Sequence, residues 1–324
     1  MDYSVLAYYN FVSIDDPKRE VIRHKKFLAT LNATARIYIS ESGINSQMSI
    51  LTADLAAYQD WLAQSPYYTM PIKIHTHHEH VFPRLTVKYR KQLVAIDETI
   101  DLSKTGVHLS PKEWREKLES NKEHVLIDVR NDYEWKIGHF KGSELPPCET
   151  FREFTEYAEE LKTRIDPEKT EVLMCCTGGI RCELYSSLLL DLGIKQVFQL
   201  DGGLINYGLK EGNAHYDGKI FVFDDRLAIP MNPAEPEKTN VIANCHRCNA
   251  SVDTYYNCAN MDCNRLFICC QDCIKELKGC CKEDCTHSSR LRPYNENTVH
   301  KPFRRQHHYR EAILEHNKCT ECEQ

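Results

Sequence analysis

Met174-Cys175-Cys176-Thr177-Gly178-Gly179-Ile180-Arg181-Cys182 is the stretch that decides how this chain is read. The apolar run Val172 to Cys176 predicts a short buried strand. The apolar-periodic stretch Glu183 to Leu192, stopped by Gly193, predicts a helix, so the cysteines lie where a strand turns into a helix. Gly178 and Gly179 let the backbone bend tightly with its N–H groups turned inward, and Arg181 and the helix N-terminus add positive potential to the same hollow. All of these effects favour thiolate over thiol at Cys176. For Cys175 and Cys182 the expectation is the buried, inert role that cysteine often plays.

Working outward, the surrounding segment alternates strand and helix signals. Ser110-Pro111-Lys112-Glu113 has the capping-box pattern with proline at the first helical position, Val125 to Val129 is an apolar strand, and a polar segment runs from Arg130 to Ser143. Thr150 to Glu153 repeats the capping box before a helix carrying Phe151, Phe154, Ala158 and Leu161, and Gln196 to Leu200 reads as a further strand before a turn at Asp201-Gly202-Gly203. Such alternation predicts an α/β unit with a mainly parallel sheet over residues 106–226, and ligands bind beyond the carboxyl ends of such strands, where Cys176 lies. Asp128 and Arg130 read either as charge-organising residues beside the loop or as a surface ion pair of little energetic weight.

Residues 1–95 give the order β-α-β-β-α-β, a ferredoxin-like α+β arrangement. Its strands are expected at Val5 to Val12, Ala35 to Ile39, Gln47 to Leu51, Ile72 to His75 and Leu85 to Tyr89. A turn is expected at Glu41 to Asn45, with Asp16-Pro17 opening the first helix and Asp54 capping the second. Arg84, Lys88 and Arg90 recur at even spacing and so share one strand face, where they grip phosphates or protect a solvated edge strand. His75, His77, His78 and His80 read as a polar loop, because only Glu79 accompanies them.

The composition, 42% hydrophobic and 27% charged over 324 residues, is that of a globular protein of two or three domains. A formal charge of −6 gives no global attraction to nucleic acid, so such binding rests on local basic patches. Met1-Asp2-Tyr3 lacks a basic leader and no apolar run spans a bilayer, which predicts a cytoplasmic protein without membrane contact. Of 16 cysteines, most fall between Cys245 and Cys285, beyond a linker marked by Pro230, Pro233 and Pro236. The pairs Cys245-x2-Cys248, Cys258-x4-Cys263, Cys270-x2-Cys273 and Cys281-x3-Cys285 offer eight thiolates for up to two structural zinc ions in a third domain, 240–324, too small to fold on its apolar content. An interleaved arrangement, with the first and third pairs sharing an ion, is one option; a redox or sulfur-relay set is the rival. From His287 to Arg310, basic residues alternate with Tyr294, Phe303 and Tyr309, a composition that suits RNA or a solvated tail alike, and Cys319-x2-Cys322 is a lone pair.

Three separated motifs, Leu126-Ile127-Asp128-Val129-Arg130, then Tyr133-Glu134 with Gly138 to Ser143, and the loop Cys176 to Arg181, together resemble a rhodanese domain, whose cysteine carries sulfur as a persulfide. The four residues between Cys176 and Arg181 suit a single sulfur, whereas counting from Cys175 gives the five of cysteine phosphatases, so Cys176 is the expected nucleophile. With Gly43-Ile44-Asn45 and Phe82-Pro83-Arg84-Leu85 in the first domain and the cysteine-rich end, the layout up to about Cys285 resembles the rhodanese-related tRNA uridine hydroxylases. The resemblance implies oxygen-dependent conversion of the wobble uridine, position 34 of tRNA, to 5-hydroxyuridine. Cys176 and Arg181 would be catalytic, Thr177, Gly178, Gly179 and Ile180 would form the anion-binding loop, and Arg84, Lys88 and Arg90 would be candidates for RNA contact. No organic cofactor is identifiable: neither a two-His-one-carboxylate set nor a dinucleotide fingerprint is present. The alternatives are a sulfurtransferase that takes sulfur from thiosulfate or a donor protein, and an RNA-binding scaffold.

Overall fold

The computed structural model describes residues 2–68, 70–98 and 100–294. The basic and aromatic stretch beyond Tyr294 and the Cys319–Cys322 pair lie outside the described residues.

The first unit comprises β1 (Tyr3–Phe11), α1 (Pro17–Leu28), β2 (Ala33–Ser40), β3 (Gly43–Leu51), α2 (Leu55–Ala63), β4 (Lys73–His77) and β5 (Leu85–Tyr89). Strand order is β4-β1-β3-β2-β5, the ferredoxin-like sheet with β5 added parallel to β2. The period of two in the strands sends Leu6, Tyr8, Ile37, Ile39, Ile44, Met48 and Ile50 into one core with Leu28, Tyr58 and Leu62 from the helices. Each such buried aliphatic side chain contributes about 1.5–3 kcal/mol. Alternate residues fall on the opposite face, which no helix of this unit covers. α1 begins as expected, with Asp16 accepting from the Arg19 N–H and Pro17 at the first position.

Three local expectations are corrected. Asp54 makes no side-chain cap; it closes a 3-10 turn, Thr52–Asp54, whose backbone leads into α2. β3 starts already at Gly43, because its register with β1 and β2 runs from Gly43 to Leu51, so the turn shrinks to Glu41-Ser42. The histidines do not form a loop throughout: His75 and His77 belong to β4, paired with Val5 and Tyr3.

The second unit contains β6 (Val107–Leu109), α3 (Pro111–Glu119), β7 (His124–Asp128), α4 (Asp132–Trp135), β8 (Gly138–Phe140), α5 (Phe154–Arg164), β9 (Glu171–Cys175), α6 (Ile180–Asp191), β10 (Gln196–Leu200), α7 (Gly203–Glu211), β11 (Tyr216–Phe221) and β12 (Ala228–Pro230). Its main sheet, β6-β10-β9-β7, is parallel throughout. α5 and α6 pack on one side around Phe154, Tyr185 and Leu189, while Trp114, Phe140, Leu204 and Tyr207 fill the other. The segment that follows the turn expected at Asp201-Gly202-Gly203, for which no element was expected, is helix α7. β8, β11 and β12 form a small antiparallel sheet beside the main one.

The third unit is built on β13 (Tyr255–Asn257), β14 (Leu266–Ile268) and α8 (Gln271–Glu276), with a core of which more than half of the buried residues are cysteine. It docks on the second unit through Ile137, Phe221, Ala243, Tyr255 and Ile268. No helix among the described residues is long and apolar enough to cross a membrane.

Candidate active site between the first two units

β9 ends at Cys175 and α6 begins at Ile180, so the intervening loop hangs at the carboxyl edge of the parallel sheet. Alternation sends the neighbouring cysteines opposite ways. Cys175 enters the core with Trp114 and Tyr216, and burial raises its pKa; Cys176 turns into the loop. The Gly179 N–H donates to Cys176 Sγ at 3.1 Å. Burial alone would raise the Cys176 pKa, but the Cys182 thiol, the Arg181 charge and the N–H groups of Cys182 and Gly179 outweigh it and bring it from 9.0 to about 5. Cys182 thus serves as a donor to the thiolate, and its own pKa is raised, by burial first.

Of the two loop glycines only Gly179 has a left-handed backbone, with φ +102, and a Cβ there would lie 2.8 Å from the Tyr9 hydroxyl. Gly178 faces open space instead. Gly203, at φ +67, is pressed under the loop: the N–H groups that follow it, of Leu204 and Ile205, donate to the carbonyls of Cys176 and Thr177, and a Cβ would meet the Cys176 oxygen at 2.5 Å.

Arg181 is not a bare cation. Both of its terminal nitrogens reach the Glu134 carboxylate, one at 2.7 Å, and Thr177 Oγ1 donates to Glu134 at 3.2 Å. Glu134 also accepts the Asn131 N–H in the capping box of α4, and its bonds to Arg181 and Thr177 tie that helix to the loop. Asp128 and Arg130, far from a surface pair, are fully buried: Arg130 forks onto Asp128 at 2.6 and 2.8 Å and donates to the Gly138 carbonyl at 2.6 Å, holding β7 against β8.

The bare face of the first sheet meets this loop. Tyr9 donates to Glu183 at 3.0 Å, and Glu183, on the first turn of α6, also bonds His108 at 2.8 Å and Gln199 at 3.2 Å. Lys73 donates its ammonium to the Gly178 carbonyl and lies 5.4 Å from the Tyr9 ring centre. Burial lowers the Lys73 pKa, and the negative charge at Cys176 opposes that shift. His75 Nε2 accepts from Arg226 at 2.7 Å, while Arg226 forks onto Asp224. Burial and the Arg226 charge bring the His75 pKa to about 4, so this ring is neutral at pH 7.

Between the two units is a cavity of about 450 Å³, lined from one side by Tyr9, Arg36, Tyr38, Gln47 and Lys73 and from the other by Cys176, Thr177, Gly178, Ile180, Arg181 and Phe223. The expected loop residues therefore come together, whereas Arg84, Lys88 and Arg90 stand exposed at the far edge of the same sheet face, with Arg90 5.1 Å from the Tyr38 ring centre. Tyr9, Lys73, Glu183 and Arg226 were not legible as site residues, and Glu134 was visible only within the Tyr133-Glu134 motif. Asp224-x-Arg226 carried a signal as well, since it repeats the spacing of Asp128-x-Arg130.

Two groups of four cysteines in the third unit are placed to hold a metal ion: Cys245, Cys248, Cys270 and Cys273, and Cys258, Cys263, Cys281 and Cys285. The interleaved pairing is the one observed. Within each group all sulfurs lie within 4.8 Å of one another, and Cys248–Cys270, Cys263–Cys281 and Cys281–Cys285 are separated by 3.6, 3.7 and 3.9 Å. A tetrahedral ion with bonds of about 2.3 Å requires edges of roughly 3.8 Å, so the donor set fits. Asn249 and Asn264, both at positive φ directly after Cys248 and Cys263, make the tight turns that bring paired thiols together.

Residues 3–93 match the family model described as UPF0176 acylphosphatase like domain, residues 110–209 the rhodanese-like domain, and residues 217–286 the rhodanase C-terminal model. A protein of Protochlamydia amoebophila (strain UWE25) named tRNA uridine(34) hydroxylase is 59% identical over 308 residues, covering 95% of this chain and 95% of its own length. Proteins of the same name from Chlamydia felis (strain Fe/C-56), 55% identical, and Chlamydia trachomatis serovar D, 53% identical, each match 307 residues, 94% of this chain and 94% and 93% of their own lengths.

Proposed function

The chain belongs to the tRNA uridine(34) hydroxylase family, and from that premise we propose that Cys176 is the nucleophile with which it hydroxylates its uridine. The observation that carries this assignment is a sulfur that accepts the Gly179 N–H and lines an interdomain cavity of nucleoside size, with Arg181 on the same wall. Cys176 Sγ adds to C6 of the uracil; the S–C6 bond forms, the C5=C6 π pair moves toward C4, and O4 takes up the charge as an enolate. The electron-rich C5 then meets molecular oxygen. A C5–O bond forms, the O–O bond is cleaved with two electrons from a donor outside this chain and two protons so that the second oxygen leaves as water, and loss of the C5 proton restores C5=C6 as the S–C6 bond breaks and the thiolate departs.

The three parts, 1–95, 106–226 and 240–324, divide the work. The Gly179 N–H holds the thiolate ready. Arg181, fixed by Glu134, sets the potential of the loop and positions Thr177 to Ile180 around the sulfur. Arg84, Lys88 and Arg90 meet the RNA backbone. The two cysteine groups would each hold zinc, a structural ion that supplies cross-linking where the apolar core is small. Thiolates in such number belong in a reducing cytoplasm.

The test is covalent trapping. A tRNA carrying 5-fluorouridine at position 34 is expected to form a stable adduct with the wild type and none with Cys176→Ala, which is also expected to lose all hydroxylation. Retained hydroxylation in that variant would remove Cys176 as the nucleophile, and loss of a thiolated nucleoside rather than 5-hydroxyuridine from cells lacking the protein would move the assignment to sulfur transfer.

A further inference from the structure

The bare face of the first sheet is crossed by two rows of side chains in register. Lys88, Tyr38, Asn45 and Tyr9 form one, and Thr86, Arg36, Gln47, Ala7 and Lys73 form the other. Both run from the exposed β5 edge, where Lys88 and Arg90 stand in solvent, toward the Cys176 loop at the β1 and β4 side. A sheet face carrying aromatic rings between basic groups is a platform on which unpaired bases stack. Its inner end is the cavity that also contains Cys176.

Within that cavity the cations differ in what they have left to offer. Arg181 spends both terminal nitrogens on Glu134, Arg226 is held by Asp224 and His75, Arg152 is paired with Asp97, and Arg36 stands exposed along the sheet face, whereas Lys73 reaches the Cys176 loop itself. Lys73 has three N–H donors and bonds the Gly178 carbonyl with one; among the described residues no carboxylate lies within 4.0 Å of it. The space beside Gly178, where a side chain would otherwise stand, is open.

Resting on the hydroxylase assignment above, we propose that this cavity seats one unstacked pyrimidine of the RNA, with Lys73 as the cation that meets its 4-oxo oxygen. When Sγ adds to C6, the π pair accumulates on that oxygen, and the half-buried ammonium, held at the Gly178 carbonyl, stabilises the charge beside it. The proton stays on Lys73 and no group departs. The same contact selects the base. Lys73 only donates, so it accepts uracil, whose position 4 is an acceptor, and rejects cytosine, whose position 4 is itself a donor. A nucleotide in a loop is already partly unstacked, which makes its insertion inexpensive.

Binding to the full chain tests this directly, using anticodon-arm hairpins with uridine or cytidine at position 34 and fluorescence anisotropy. The wild type is expected to prefer the uridine hairpin about tenfold, Lys73→Met to bring the two within twofold, and Lys73→Arg to keep the preference. A second measurement needs no variant: a hairpin with 5-iodouridine at position 34 is irradiated on the wild type, and the cross-link is expected at Tyr9, Tyr38 or Phe223. An unchanged uridine-to-cytidine ratio in folded Lys73→Met, or a cross-link confined to residues outside the cavity, overturns the proposal. Product analysis of tRNA turned over by the wild type is read separately: absence of 5-hydroxyuridine there counts against the hydroxylase assignment, whatever the hairpins do.

Discussion

An acid titrating at about 5 is ionised throughout the neutral range, so Cys176 carries its charge at pH 7 without help from a substrate. Alkylation of this sulfur by iodoacetamide is therefore expected to be flat above pH 6 and to fall about tenfold per unit below 5, because protonation removes the nucleophile. A midpoint near the ordinary thiol value would show that the loop donors do not act on it. Glu134 is the residue on which Arg181 depends. Glu134→Gln leaves a buried guanidinium without its countercharge, and the expected loss is about 3–5 kcal/mol in denaturant unfolding, with reduced tRNA hydroxylation. The pair joins positions 47 apart in the chain, a separation that no motif spacing records. Cys176 and Arg181 were legible because they share one loop; Glu134 was legible only as a member of a motif, since its partner is chosen by packing.

At the level of elements, the loop is shaped from both ends. Gly203→Ala puts a Cβ against the Cys176 carbonyl at a left-handed backbone position, and the expected result is a loss of at least ~2 kcal/mol in stability together with a misplaced thiolate. Gly178→Ala meets nothing within 4 Å, so its stability is expected to stay within about 0.5 kcal/mol of the wild type while the filled space raises KM for tRNA. Comparing the two melting curves and the two kinetic profiles separates the roles. α7 was hidden because Asp201-Gly202-Gly203 carries strong turn chemistry and its apolar residues follow without a cap. In the structure, the first N–H groups of α7 find their acceptors in the active-site loop instead of in a side chain. For α2 the 3-10 turn replaces the expected Asp54 cap, another case in which backbone geometry does what a side chain was expected to do.

Across the whole molecule, the third unit is tied to Glu134 and the Cys176 loop through a short chain of contacts. The Tyr255 hydroxyl donates to the carbonyl of Tyr133, the neighbour of Glu134, and Phe221 packs edge-on against both rings at 5.3 and 5.4 Å. Stripping metal from the eight thiolates with a strong chelator is expected to lower the melting temperature and expose this seam, read as increased amide exchange at Tyr133 to Trp135. Unchanged melting after verified metal loss would remove the structural role of the ion. At the opposite edge, replacing Arg84, Lys88 and Arg90 together by alanine is expected to weaken tRNA binding and to flatten its dependence on salt by about 0.7 per lost phosphate contact, with kcat preserved. A salt slope equal to that of the wild type would place the RNA elsewhere.

The β-α-β-β-α-β order of the first unit, the strand-loop-helix corner at Cys176 and the four short-spaced cysteine pairs were determined by sequence alone, because each depends on neighbours within a few residues: period-two alternation, a glycine-rich turn, a pair of thiols on one knuckle. Only the tertiary structure decided which cysteine pairs come together, that Arg181 belongs to Glu134, and that Tyr9 and Lys73 from another unit close the pocket. Those choices are set by how separate surfaces pack, and packing brings together residues whose distance along the chain carries no trace of their contact.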